Sequence, residues 1–331
     1  MDKEHIERKL ARLNEVKAQI SQVIVGQQDV VEDMLLSLMS GGHCILEGVP
    51  GLAKTLMVNT LSKALELDFH RVQFTPDLMP SDIVGTEILE EDHSTGKRFF
   101  KFQQGPVFTN VLLADEINRT PPKTQSALLE AMQEHAVSYG GERFVLPAPF
   151  FVLATQNPVE QAGTYPLPEA QLDRFLLFIR IDYPDADEEV EILARTTGVA
   201  APAVESVLGA EDVLELQRLV REVDANDVLL RYVADVVRAT RPHEGSPPMV
   251  NDYLRWGAGP RAGQALILCA KAHALLSGRY AVTLEDIRRV SHPALRHRLL
   301  LNFQAEADGV SSDDIVTSVF EAVPEPESPI R

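Results

Sequence analysis

One stretch of the sequence decides the fold: Gly48-Val49-Pro50-Gly51-Leu52-Ala53-Lys54-Thr55. It follows the apolar run Cys44-Ile45-Leu46 and leads into Leu56-Met57-Val58, an order that predicts a buried strand, a turn and a helix. The backbone N–H groups of such a turn point at one spot, where the helix dipole also favours negative charge. Lys54 can then reach the outer phosphates of a polyphosphate, and the Thr55 hydroxyl can supply an oxygen ligand to Mg²⁺. We therefore predict a phosphate site at Gly48, Pro50, Gly51, Leu52, Ala53, Lys54, Thr55 and Leu56.

Ala53 departs from the usual pattern of such a loop, which has its last glycine at this position. A methyl group is tolerated there if the residue has ordinary helical backbone angles, because glycine is required only where φ is positive or space is absent. We expect Ala53 to have helical angles. The alternative, a glycine-containing turn without chemistry, fits the order of strand, turn, Lys-Thr and helix less well.

The composition favours a soluble protein of two domains. The chain has 331 residues, of which 45% are hydrophobic, and this is enough material for two cores. Its charged start, Met1-Asp2-Lys3-Glu4-His5, and the lack of any run of about 18 apolar residues predict a cytoplasmic protein without membrane insertion. The net charge of −18 would repel nucleic acid over most of the surface, although it does not exclude a local basic groove.

Cysteine and histidine usage gives no sign of a disulfide framework or of structural zinc. The two cysteines, Cys44 and Cys269, lie in apolar segments and are expected to be small core residues. The nine histidines do not cluster with cysteines or carboxylates at ligand spacing.

Two amphipathic helices are predicted ahead of the loop. Their apolar residues recur at steps of three and four: Ile6, Leu10, Leu13, Val16 and Ile20, then Val30, Val31, Met34, Leu35 and Leu38. Between them lies an apolar elbow, Val23-Ile24-Val25-Gly26-Gln27. An elbow just ahead of a phosphate loop is placed to hold an adenine ring, here through Val25 and Gly26, and the alternative is a simple core connector.

Short apolar runs predict five strands from residue 43 to residue 181. The runs begin at Cys44, Phe69, Val111, Phe150 and Phe175. Several are continuously apolar, as expected for strands covered on both faces, and helical stretches separate them, including one predicted from Thr120. The alternation predicts an α/β fold with a doubly wound parallel sheet, and ligands in such sheets bind at the carboxyl ends of the strands.

Two segments exceed what the crossovers of this sheet require. Residues 86–102 read as a hairpin around Asp92-His93-Ser94-Thr95-Gly96, and residues 137–146 read as a second hairpin around Gly140-Gly141. Phe99, Phe100, Tyr139 and Phe144 are expected to be exposed there. We therefore predict that one or both hairpins engage a client or a neighbouring subunit.

The strand signals cease after residue 183, and helical patterns follow. We assign residues 1–183 to the nucleotide-binding α/β domain, residues 184–323 to an all-helical domain and residues 324–331 to a disordered tail. Thr283 and Asp286 have the spacing of a capping box at the start of one helix.

Polar residues follow two of the buried strands. Asp115 and Glu116 end the run that begins at Val111, where Asp115 can bind Mg²⁺ through water and Glu116 can polarise the water that attacks a γ-phosphate. Asn157, in Ala154-Thr155-Gln156-Asn157-Pro158, can position that water. The alternatives are simple solvation of a strand end for the carboxylates and an ordinary Asn-Pro turn for Asn157.

Two arginines complete the candidate set. Arg174 stands at the start of the last strand and Arg261 at the start of a helix of the second domain. Either can instead be a surface cation or a salt-bridge partner.

These motifs together resemble the MoxR family of AAA+ ATPases over nearly the whole chain. The segments that carry the resemblance are the loop with its Ala53, Leu-Ala-Asp-Glu-Ile-Asn-Arg, Ala-Thr-Gln-Asn-Pro, Leu-Asp-Arg-Phe, Gly-Pro-Arg-Ala and both hairpins. The resemblance implies an AAA+ αβα core with a five-stranded parallel sheet and a helical lid. It implies the cofactors ATP and Mg²⁺, with Walker A at Gly48 to Thr55 and Walker B at Asp115 and Glu116. It also implies sensor 1 at Asn157, an arginine finger at Arg174 and sensor 2 at Arg261.

The same resemblance implies the way in which the protein works. It predicts a ring, usually a hexamer, and chaperone-like ATP hydrolysis on a protein client, often one with a von Willebrand factor A domain. Two alternative functions remain. One is a nucleic-acid-translocating motor of related fold, against which the net negative charge argues. The other is a P-loop kinase acting on a small molecule, and Glu116 and the helical domain fit that function poorly.

One basic cluster is left without an assignment. His292, Arg296, His297 and Arg298 can face the nucleotide, a neighbouring subunit or an acidic client, or they can form an ordinary solvated helix face.

Overall fold

The phosphate loop joins the fourth strand in space of a five-stranded parallel sheet to a helix packed against that sheet. The computed structural model describes residues 3–91, 98–158, 163–197 and 203–326. Up to residue 180 its elements are α1 (Lys3–Val23), α2 (Gln28–Met39), β1 (Cys44–Glu47), α3 (Lys54–Ala64), β2 (Phe69–Gln73), α4 (Pro80–Val84), β3 (Gly85–Glu91), β4 (Arg98–Gln104), β5 (Val111–Asp115), α5 (Pro122–Glu134), β6 (Ala136–Tyr139), β7 (Glu142–Val145), β8 (Phe151–Gln156), α6 (Glu169–Leu172) and β9 (Leu177–Arg180).

The sheet has the order β2-β5-β8-β1-β9, with parallel pairing throughout. Its strands are continuously apolar because both faces are covered. Leu46, Leu113 and Leu153 point into a core shared with α1, α2, α3 and the helices that follow residue 183, whereas Leu112 and Val152 point into a second core with α5. The predicted α/β fold is confirmed, and the parallel strands bring their carboxyl ends to one edge.

Both predicted hairpins form antiparallel pairs, β3 with β4 and β6 with β7. The turn proposed at 92–96 lies outside the described residues. Phe99 and Phe100 are exposed as expected, but Tyr139 and Phe144 are half-buried. Their rings stack on Phe102 with centroids 5.0 Å and 4.5 Å away, so the expectation that these two are exposed was wrong. The two hairpins therefore form one aromatic unit.

Helices dominate the chain beyond residue 183. The elements are α7 (Ala186–Thr196), α8 (Ala210–Glu222), α9 (Asp227–Ala239), α10 (Pro248–Tyr253), β10 (Leu254–Trp256), α11 (Pro260–Leu276), α12 (Leu284–Leu295), β11 (Leu300–Leu301), α13 (Phe303–Asp308) and α14 (Ser312–Ala322). The antiparallel pair β10–β11 is the departure from an all-helical lid, and it is too short to leave a sequence signal. The Thr283 N–H donates to the Asp286 carboxylate at 2.7 Å, the capping contact expected there.

Two further expectations shift by a few residues. The helix expected from Thr120 begins at Pro122, because the two prolines hold the chain extended just before it. Of the tail, residues 324–326 are described and Glu325 pairs with Arg288 on α12, whereas residues 327–331 lie outside the described residues. Within the described ranges no helix is long and apolar enough to cross a membrane.

The basic cluster ties the lid to the sheet. The Arg298 side chain is 3% exposed and donates to the Asp173 carboxylate at 2.8 Å and to the Phe175 carbonyl at 2.8 Å. Arg296 donates to Asp313 at 2.9 Å, and burial lowers the pKa of His297 well below its ordinary value. A solvated helix face is therefore the wrong interpretation of this cluster.

A second ion pair joins the same two parts of the chain. Arg289 on α12 donates to the buried Asp33 carboxylate on α2 at 2.8 Å. Burial raises the pKa of Asp33 to about 6, although Arg289 opposes this shift. Together with the shared apolar core, these contacts hold the lid against the sheet.

Candidate functional site

The loop from Gly48 to Thr55 connects β1 to α3 at the carboxyl edge of the sheet. A side chain at Gly48 would lie 2.8 Å from the Ile181 carbonyl oxygen, and Gly51 has φ +91°, so both positions require glycine. Ala53 has φ 54° and ψ 22°, which contradicts the helical angles expected for it. A left-handed alanine costs about 1–2 kcal/mol, and the loop holds this conformation because Ala53 is the residue at which the chain turns into α3.

Lys54 is the first residue of α3, and its ammonium group lies inside the loop. It donates to the Gly48 carbonyl and, at 3.3 Å, to the Gln156 carbonyl at the end of β8. Burial lowers the pKa of Lys54, while the nearby carboxylates of Asp115 and Glu116 act in the opposite direction. A cation held against two carbonyl oxygens at a helix start is well placed to receive phosphate oxygens.

Asp115 ends β5 beside the loop, and both of its carboxylate oxygens accept hydrogen bonds. Arg71 on β2 donates to Oδ2 from Nε at 3.0 Å and from Nη2 at 2.7 Å. The Thr155 hydroxyl donates to Oδ1 at 2.6 Å. The carboxylate is therefore fixed from two sides at the edge where an anionic ligand would meet the sheet.

Glu116 follows in a left-handed conformation, with φ 57°, which turns its side chain back over β2. Its Oε2 accepts from Gln73 Nε2 at 2.7 Å and from Arg119 Nη1 at 3.0 Å. Its N–H donates to the Thr155 hydroxyl at 2.8 Å, so one threonine holds both acidic residues. These hydrogen bonds fix the orientation of both carboxylates.

An apolar cavity of about 130 Å³ lies beside the loop. The elbow contributes Val25, the start of α3 contributes Leu56, and α7 contributes Ile192. Gly26, also predicted to hold the base, lies outside this lining, and a side chain there would meet the Glu188 carboxyl group at 2.5 Å. The size and apolar lining suit the face of a planar base.

The residues present fit a magnesium nucleotide. A glycine cradle, the Lys54 ammonium and the amino end of α3 suit phosphates, whereas the Thr55 hydroxyl and the Asp115 carboxylate are the hard oxygen donors that Mg²⁺ prefers. Asn157 follows β8 at the same edge and is 6% exposed. Bound Mg²⁺ would neutralise phosphate charge at this edge.

Arg174 and Arg261 lie at the opposite end of the sheet. Arg174 precedes β9 by three residues, rather than starting the strand as expected, and its Nη1 donates to the Leu129 carbonyl at 3.1 Å. Arg261, at the start of α11, lies 3.6 Å from the Asp173 carboxylate. Both line a cavity of about 200 Å³ together with Arg298. The structure thus brings the two arginines together but separates them from the loop of their own chain.

Sequence reasoning missed four residues that contact the acidic pair: Arg71, Gln73, Arg119 and Thr155. Thr155 had a usable signal, because β5 and β8 are neighbours and end at the same edge. Arg71 and Gln73 had none, since nothing in Phe69-His70-Arg71-Val72-Gln73 reveals which strand β2 pairs with.

Comparisons with known proteins agree with this geometry. The model of the AAA family, ATPases associated with various cellular activities, matches residues 43–177, and that of the AAA lid domain matches residues 248–319. The chain is 46% identical over 310 residues to "Chaperone MoxR1" of Mycobacterium tuberculosis, covering 93% of this chain and 81% of that protein. It is 43% identical over 308 residues to YeaC of Bacillus subtilis, covering 93% and 92%. A crystal structure from Cytophaga hutchinsonii, whose description proposes an ATPase, superposes with a TM-score of 0.90 over 98% of both chains at 44% identity.

Proposed function

Because this chain belongs to the MoxR family of AAA+ ATPases, we propose that it hydrolyses ATP and uses the energy to remodel or mature a protein partner. One observation carries the proposal: Lys54, Asp115, Glu116 and Asn157 converge at the carboxyl edge of the sheet, next to an apolar cavity of the size of a base. This is the edge at which doubly wound sheets bind their ligands.

Each residue of this edge has a role in the proposal. The loop and Lys54 hold the β- and γ-phosphates, and Thr55 and Asp115 hold Mg²⁺, Asp115 through water. Glu116 accepts the proton of the attacking water, and Asn157 positions that water. Val25 and Leu56 contact the base, whereas Gly26 serves the elbow by allowing close approach to Glu188.

The two distant arginines support a ring. Arg174 and Arg261 cannot serve the loop of their own chain from the amino ends of the strands, but they can serve the loop of a second copy. We assign Arg174 as the arginine finger and Arg261 as sensor 2, both acting on the nucleotide of the neighbouring subunit. A closed ring, hexameric in this proposal, gives every loop such a neighbour.

The partner is a protein in this proposal. The relative named "Chaperone MoxR1" supports a chaperone role, and a protein with a von Willebrand factor A domain is the partner class that the resemblance implies. The net charge of −18 argues against a nucleic-acid substrate. A cytoplasmic location completes the proposal.

Phosphate release from ATP, measured with and without Mg²⁺, tests the activity. Lys54→Ala should reduce ATP affinity below the detectable range in calorimetry, because no neighbouring cation replaces the lost ammonium. Lys63→Ala, which removes an exposed lysine from the other end of the same helix, is the matched control and should behave as the wild type. Undiminished ATP binding by Lys54→Ala would overturn the site.

A further inference from the structure

Helix α7 presents an apolar stripe to solvent. None of its residues is buried, and Ile192 faces the base-sized cavity of its own chain. On the other side lie Ala186, Val190 and Leu193 at helical spacing, with Val190 66% and Leu193 62% exposed. An amphipathic helix whose apolar side is uncovered is a recognition element.

Acidic residues flank this stripe. Asp187 and Glu189 are exposed and form no ion pair within the described part of the chain, whereas Glu191 pairs with Arg195. The outward side of α7 is thus apolar along its centre and negative along its margin, so its complement is an apolar groove with a positive rim.

The lid contains such a groove between α9 and α11. Its volume is about 880 Å³. Apolar side chains of Val233, Val237 and Ile267 form the floor, and Gly263 lines the groove without a side chain. Arg221, Arg238 and Arg241 stand on the rim, and among the described residues none of them pairs with a carboxylate. In a chain of net charge −18, three such arginines around an apolar floor are a distinct feature.

The groove is continuous with the cavity of Arg174 and Arg261, because Gln264 and Leu268 line both. On the other side, α7 adjoins the base-sized cavity, which lies beside the phosphate loop. Placing α7 of one copy in the groove of a second copy therefore brings the arginine cavity of the second copy toward the nucleotide site of the first.

We propose that helix α7 of one subunit docks, through Val190 and Leu193, into the arginine-rimmed groove between α9 and α11 of the next subunit. The inference rests on the proposed ring and adds the contact that fixes the relative position of neighbouring subunits. The same interface then couples nucleotide binding to assembly. Ile192 of α7 contacts the nucleotide base bound to its own subunit, and the outer face of α7 contacts the neighbouring subunit.

Cross-linking between copies tests the contact directly. Leu193→Cys protein is mixed with Ala234→Cys protein in the presence of Mg²⁺ and a non-hydrolysable ATP analogue, and treated with a short bismaleimide. Cys44 and Cys269 are fully buried and burial raises their pKa, that of Cys269 to about 12, so the native thiols react little. The control replaces Ala234→Cys by Phe303→Cys, which places the thiol on exposed α13.

We expect a cross-linked dimer from the first mixture at about ten times the yield of the control, since docking raises the local thiol concentration. Leu193→Asp should raise the concentration required for assembly about tenfold in light scattering, whereas Phe303→Asp should leave it unchanged. ADP affinity of each variant, measured by calorimetry, verifies the fold.

Three results would overturn the docking contact. The first is a ring that assembles while both mixtures cross-link to the same extent. The second is a Leu193→Asp variant that assembles as the wild type does. Either result contradicts the docking contact but leaves the proposed ATPase ring intact. The third is that neither the wild type nor any variant assembles in the presence of the nucleotide, which contradicts both the ring and the docking contact. The ATPase activity is tested separately by phosphate release.

Discussion

At the scale of a single residue, Glu116 is the general base of the proposed ATP hydrolysis. Gln73 and Arg119 donate to its Oε2 at 2.7 Å and 3.0 Å, and these two bonds fill only half of the roughly four lone-pair sites of a carboxylate, so Glu116 can accept a proton from water while it keeps both partners. Glu116→Gln should keep ATP affinity but slow phosphate release by about 10²–10⁴, the usual loss for a positioned general base. Glu130→Gln, an exposed carboxylate on α5, is the control in the same assay. Turnover of Glu116→Gln at the wild-type rate would show that another residue accepts the proton of the attacking water.

Arg71 gives a second prediction at the residue scale, because its guanidinium donates to Asp115 and would compete there with the Mg²⁺ of the proposed site. The Arg71 side chain is 47% exposed, so the ion pair contributes about 0.5–1 kcal/mol at most. Arg71→Gln should therefore lower the Mg²⁺ concentration for half-maximal ATP binding by about 2–5-fold. Titration of Mg²⁺ in calorimetry measures this, with ATP affinity in the absence of Mg²⁺ as the control. An unchanged Mg²⁺ requirement would show that Arg71 merely shields the carboxylate.

Residues that follow buried strands could be predicted from the sequence, but their partners could not. Asp115 and Asn157 are polar residues at the ends of apolar runs, so their shared edge follows from parallel topology. The left-handed angles of Ala53 and Glu116 depend on how the chain leaves the sheet, and alanine and glutamate give no local sign of that. Likewise, Arg298 looks like a surface cation until α12 is packed on the segment before β9.

At the scale of secondary-structure elements, the hairpins show what a sequence pattern can and cannot predict. Alternation and the Gly-Gly turn predicted two pairs of strands, whereas the stacking of Tyr139 and Phe144 on Phe102 needed the two pairs to meet. The same contact leaves Phe100 outside the stack, 70% exposed at the end of the unit. Of the four aromatic residues expected to be exposed on the hairpins, only Phe99 and Phe100 are, and both lie on β4.

Phe100→Ser should weaken client handling without affecting the nucleotide site. Phe100 lies on β4, which pairs with β3 outside the five-stranded sheet, and an exposed aromatic side chain is a typical binding anchor. Suppression of the aggregation of reduced lysozyme, in the presence of ATP, should fall several-fold, while phosphate release without client stays within about twofold of the wild type. Lys101→Ser changes the adjacent position of β4 and serves as the control. Equal suppression by both variants would remove the hairpin tip from client binding.

At the scale of the whole molecule, the lid positions a residue of the sheet domain. Arg298 holds Asp173 and the Phe175 carbonyl, and these flank Arg174, while Asp173 also draws Arg261 to 3.6 Å. The arginine that would reach a neighbour is thus fixed by contacts from the lid of its own chain. A change in the position of the lid would move both arginines together, which couples the sites of adjacent subunits in the proposed ring.

Mixed rings test whether each site is shared between subunits. An arginine finger supplied by a neighbour increases turnover by about 10³–10⁵, so Arg174→Ala should be inactive alone. Lys54→Ala should also be inactive alone, because it does not bind ATP. In an equal mixture about one interface in four pairs an intact loop with an intact arginine, and roughly a quarter of the wild-type turnover should return. A mixture of Lys54→Ala with Glu116→Gln should stay inactive, because those two residues must act in the same chain. Phosphate release across mixing ratios, with assembly followed by light scattering, measures both. Full turnover by dilute monomeric Arg174→Ala would refute the finger and the ring together, since a complete site would then exist within one chain.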